Sequence, residues 1–163
     1  MKRRLSVAQA VEAAAILFSL NSGRDGVLLM AARSGLPCSS EEEIRRLLLE
    51  WRAFVHAAVL YGLMVQAPNV VVVAYLRSTQ DMLKQLGYTQ EQADAFVDGA
   101  FRAYSEPLVR TRTQECPAVF FRRLLDKDIT DVPAKTAATV SGIMAMILSA
   151  VLDKLEQYDY ALD

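Results

Sequence analysis

The chain has 163 residues and a mass of 18.1 kDa, the size of one domain. Its residues are 53% hydrophobic and 23% charged, which excludes a disordered or fibrous chain. Eighteen Lys and Arg against 19 Asp and Glu leave a charge of -1, so nothing in the balance favours a dedicated nucleic-acid binder. The two cysteines, Cys38 and Cys116, make no disulfide framework, which points to a reducing, cytoplasmic setting.

Periodicity is helical almost throughout, and the fold expected is all-α, one domain over 1–163, a bundle of six to seven helices. Lys2, Arg3 and Arg4 ahead of an apolar stretch have the charge pattern of a signal peptide. Gln9 and Glu12 interrupt that stretch, so 5–20 reads as a helix of the folded domain. A turn cluster follows at 21–26, then a short helix over 27–34 that stops at Gly35 and Pro37.

The longest predicted helix covers 40–66, roughly 40 Å at 1.5 Å per residue. Ser39 or Ser40 caps it, and Glu41, Glu42 and Glu43 sit where the positive helix end favours them. Pro68 opens the next helix, which runs to Leu86 and ends at Gly87. Thr89 and Gln92 form a capping box for a helix that Pro107 kinks or ends. A short helix begins near Pro117, and the last one covers about 131–158. Two segments, 53–76 and 136–152, carry no charged residue. The Pro68-Asn69 break and the short second run argue for buried core helices over bilayer spans, and no stable membrane insertion is expected.

In the last helix Ala137, Ser141, Ala145 and Ser149 recur every fourth residue, with Ala134, Ala138 and Gly142 beside them. Such rows let a neighbouring backbone approach closely, either inside the bundle or across a two-fold dimer, with Met144, Met146, Ile147 and Leu148 on the flanks. Gly142 is the expected point of closest contact.

Little else suggests chemistry. His56 is the only histidine and Ala53 precedes it by three, so the Glu-x-x-His pairs of a di-metal bundle are missing. Its expected state is buried and hydrogen-bonded to a carbonyl. No Gly-x-Ser-x-Gly and no phosphate-binding glycine loop occur. Cys116, at a helix start with arginines nearby, has the setting of a thiolate, although Glu115 opposes it.

Charge is segregated. Residues 102–123 hold Arg102, Arg110, Arg112, Arg122 and Arg123 against Glu106 and Glu115, a net of +3. Residues 124–163 hold three basic and seven acidic groups, a net of -4. The arginine segment is thus a candidate anion or partner surface, unless its guanidinium groups pair with the acidic end. The 27–34 helix, the Gly35 turn and the helix from Ser40 loosely resemble a helix-turn-helix, but three glutamates would face phosphate.

The function expected is a non-enzymatic interaction module acting through a homodimer or a protein partner, without cofactor or metal. The alternatives are a protein binding a small molecule near His56, Trp51, Tyr61 and Met64, or an anion at the arginines. An enzyme using Cys116 or converging carboxylates such as Glu12, Asp94 and Asp98 ranks below both.

Overall fold

The computed structural model describes residues 1–161, and Asp163 of the acidic end lies outside the described residues. The fold is all-α. The helices are α1 (Val7–Ser22), α2 (Arg24–Ser34), α3 (Glu41–Gln66), α4 (Asn69–Arg77), α5 (Thr79–Gln85), α6 (Gln90–Ala95), α7 (Arg102–Val109), α8 (Cys116–Leu125) and α9 (Ala134–Glu156). Two three-residue strands, β1 (Arg3–Leu5) and β2 (Tyr158–Tyr160), pair in parallel and clasp the two ends of the chain, with Arg4 opposite Asp159.

α3 is the axle. Its charged N-terminal turns reach solvent, whereas every residue from Ala53 to Leu60 is buried. The apolar second half of the predicted long helix therefore has a simple cause. α1, α4, α7, α8 and α9 surround it, and each contributes an apolar stripe to one continuous core. The cap is as the sequence suggests, the Ser40 hydroxyl accepting from the Glu43 amide at 3.2 Å.

Several expected boundaries move. α1 starts at Val7, not Leu5, because Ser6 and Gln9 form a reciprocal capping box. The expected turn at 21–26 shrinks to Gly23 alone, since α2 already begins at Arg24. The helix expected over 68–86 is broken at Ser78, whose hydroxyl donates to the Tyr75 carbonyl at 2.7 Å and so competes with the helical ladder. Pro107 lies inside α7, which continues two residues further. Between α6 and α7, Phe96–Phe101 forms a π turn; the wider winding turns Phe96, Ala100 and Phe101 toward the core. The last helix is shorter than expected at both ends, and its expected tail is strand β2.

Candidate functional site

His56 sits at the centre of the core. Its Nδ1 lies 2.8 Å from the Tyr75 hydroxyl and its Nε2 2.9 Å from Thr79 Oγ1, with the rings of Phe18, Phe96 and Phe101 around it. The partners are hydroxyls from α4 and α5, not the carbonyl expected. A neutral imidazole donates at one nitrogen and accepts at the other, so two hydroxyls satisfy it completely. Burial pushes its pKa down to about 3, keeping it neutral. The residues expected to share a cavity with it are scattered. Trp51 donates from Nε1 to the Asn21 carbonyl at 3.1 Å, Tyr61 faces α9, and Met64 is exposed.

The thiolate reading of Cys116 is corrected by its surroundings. The side chain is buried at the start of α8, and burial together with the neighbouring Glu115 charge pushes its pKa up to about 12. Desolvation outweighs the helix end and the arginines, because those arginines point elsewhere.

They do not converge. Arg123 reaches inward, donating from Nε to Glu50 Oε1 at 2.8 Å, an oxygen that also accepts from the Tyr104 hydroxyl at 2.7 Å. Burial and then the Glu50 charge raise the Tyr104 pKa. Arg122 faces Asp126 and Asp128 at 3.5 and 4.0 Å, and Arg112 faces Glu115 at 4.0 Å. Arg102 and Arg110 are exposed on α7 and just beyond it. A different groove, about 360 Å³ and lined by Arg24, Arg45, Arg52 and Tyr88, opens beside the N-terminal half of α3. Glu41 and Glu42 already meet Arg24 and Arg45 there at 3.8 and 2.6 Å. Asp94 is bonded to Gln80 and Gln90, far in the chain from Glu12, which lies by the terminal clasp. Among the described residues no three His, Cys, Asp or Glu side chains are grouped to hold a metal ion.

α9 is covered on one side only, and large apolar side chains are also exposed on α1 (Ile16, Leu20) and α4 (Val70, Val73, Leu76). Val140, Met144, Ile147, Leu148, Val151 and Leu155 face the core. The small residues do not. Gly142, Ala145 and Ser149 are exposed and Ala137 and Ser141 partly so, while Met146 is 71% exposed instead of filling a flank. A Cβ added to Gly142 would meet nothing within 4 Å. At Gly142, then, the row makes no close contact inside the chain. The close approach is made by Gly62 of α3, where a Cβ would lie 2.7 Å from Val151 Cγ1 and 2.9 Å from Leu155 Cδ1. Gly62 is the less conspicuous glycine in the sequence because it has a single small neighbour at four-residue spacing, Ala58, whereas Gly142 lies beside a whole row.

The exposure of α9 is out of proportion to its composition. Among the described residues, two helices are apolar and long enough to cross a membrane by length and composition. The most apolar 18-residue stretch of α3 has mean hydropathy 1.3 and is 78% buried, whereas that of α9 has mean hydropathy 1.6 and is 33% buried. Shallow hollows flank the open face. One, about 510 Å³, lies between α9 and the start of α8, with Tyr61, Pro117, Ser141 and Ala145 in its walls. The other, about 270 Å³, is bounded by Leu20, Met30, Trp51 and Ile143. No known protein family, curated protein or solved structure matches this chain.

Proposed function

We propose that this chain is a non-enzymatic, cytoplasmic helical module that docks a protein partner on the open face of α9. The observation that carries the reading is the contrast between the two apolar helices: the more hydropathic one is the less covered. An uncharged helical face with hollows on both sides costs solvation free energy unless something covers it, and such patches mark interaction sites. The composition of the face favours protein over bilayer. It carries Ser141, Gly142 and Ser149 and has none of the aromatic anchors of an interfacial helix. Elsewhere His56 and Arg123 are engaged in holding the fold, His56 by two hydroxyls and Arg123 by Glu50, and the exposed Arg102 and Arg110 belong to no common site.

A photo-cross-linking residue introduced at Met146, with Asp81 on exposed α5 as control, tests the proposal in cells. A defined protein adduct at 146 and none at 81 is expected. Absence of any protein adduct at 146, or binding of the chain to mixed zwitterionic and anionic vesicles that Met146→Lys abolishes, would overturn it.

A further inference from the structure

We infer that the partner is a second copy of this chain, its α9 packed antiparallel on the first about a two-fold axis at the level of Met144. The inference rests on the reading of α9 as a docking face and adds the occupant and its register. Lys135, Ala138, Gly142, Met146, Ser149 and Asp153 are all exposed, and they follow one another at three- and four-residue steps, so they form a single stripe along one side of the helix. Met144 marks the midpoint between Lys135 and Asp153, which bound the uncharged run.

Turning the stripe end for end about that midpoint matches its ends and its centre to themselves and sets Ala138 and Ser149 against the partner's Ala150 and Thr139, just beside the stripe. Met146, the one large apolar side chain exposed on α9, meets the partner's Gly142, over which the structure leaves open space. A flexible, polarisable thioether suits such a gap. Ala138 meets the partner's Ala150, and Lys135 meets the partner's Asp153. Because a two-fold contact is isologous, each of these occurs twice.

The charges select the antiparallel arrangement. In a parallel pair Lys135 would oppose its own copy, as would Asp153. Within one chain both residues are also placed against the helix dipole, a cation in the first turn of α9 and an anion in the last. Among the described residues neither joins an ion pair. Across the antiparallel contact each finds an opposite charge and the helix end that favours it. Leu20, 75% exposed beside the stripe, and Met30 and Ile143 extend the apolar area past the single helix.

Sedimentation velocity over the micromolar range tests this with three variants at exposed positions, each checked for folding by far-ultraviolet circular dichroism. Wild type is expected to form dimers. Lys135→Glu and Asp153→Lys are each expected to weaken association about tenfold, because two attractive contacts become repulsive. The double variant is expected to restore it. In a Cys38→Ser background, Ala138→Cys with Ala150→Cys is expected to give a covalent dimer on oxidation, and Ala138→Cys alone is not. A wild type that stays monomeric would overturn self-pairing while a protein adduct at 146 still upheld the docking face. A dimer indifferent to both charge reversals would overturn the register.

Discussion

Gly62→Ala and Gly142→Ala make the same chemical change in the interiors of two helices, and the structure assigns them opposite signs. At Gly62 the new methyl would stand 2.7 Å from Val151 Cγ1 and 2.9 Å from Leu155 Cδ1, about 1 Å inside ordinary carbon contact. Leu155 can turn its terminal methyl aside, but Val151 is β-branched and holds one χ1 well in a helix, so α9 itself must shift. Overpacking of this kind costs about 1–3 kcal/mol, and replacing a helical glycine by alanine returns about 0.8–1.0 kcal/mol. The net expectation for Gly62→Ala is a loss of about 1 kcal/mol. At Gly142 no atom lies in the way, so only the propensity gain remains. Propensity cancels in the difference, and the gap of about 1–3 kcal/mol between the two variants is the overpacking itself. Urea unfolding followed by the fluorescence of Trp51, the only tryptophan, reads this gap. A Met146→Lys background keeps self-association out of the measurement. Equal shifts for the two alanines would refute the close α3–α9 contact.

His56 should make stability depend on pH. Its folded pKa, about 3, lies below the unfolded value, so its contribution is complete above about pH 6.5 and is lost as the pH falls toward 3. Between pH 6.5 and 5 the loss is about 2 kcal/mol, and urea midpoints of His56→Gln should show a flatter acid limb; parallel limbs would contradict the assignment. Trp51→Ala is expected to cost about 3–5 kcal/mol, since the indole packs edge-on to Phe120 and beside Phe54; a loss below about 1 kcal/mol would show the ring to be peripheral. Ser34→Ala should stabilise by about 1 kcal/mol, because the Ser34 hydroxyl is buried with no hydrogen-bond partner among the described residues; a destabilised variant would reveal a hidden one. In the native state a thiol reagent at neutral pH should titrate Cys38 and leave Cys116 until unfolding; rapid modification of both would contradict the burial of Cys116.

How far the sequence reveals this molecule depends on the range of the interaction concerned. The cap at Ser40, the box at Thr89 and Gln92 and the stop at Gly35 use neighbours within four residues, and all are legible. The capping box at Ser6 is equally local, yet Ser6 and Gln9 also fit a polar stripe, and periodicity alone does not choose between them. The β clasp joins residues 155 positions apart through strands too short to show alternation. The setting of Cys116 turns on which direction the arginines point, and Arg123 turns inward only because Glu50 waits on α3. The candidate site was half legible. The row of small residues on α9 is plain in the sequence, but its facing outward is decided by the larger stripe from Val140 to Leu155, which buries more apolar area against α3.

The central claim is that the open face of α9 is covered by a second copy of the chain. Native mass spectrometry of the wild-type protein beside Met146→Lys reads it in one measurement. The account predicts a two-subunit mass for wild type and a one-subunit mass for the variant. The same mass for both proteins, whether one subunit or two, would contradict it.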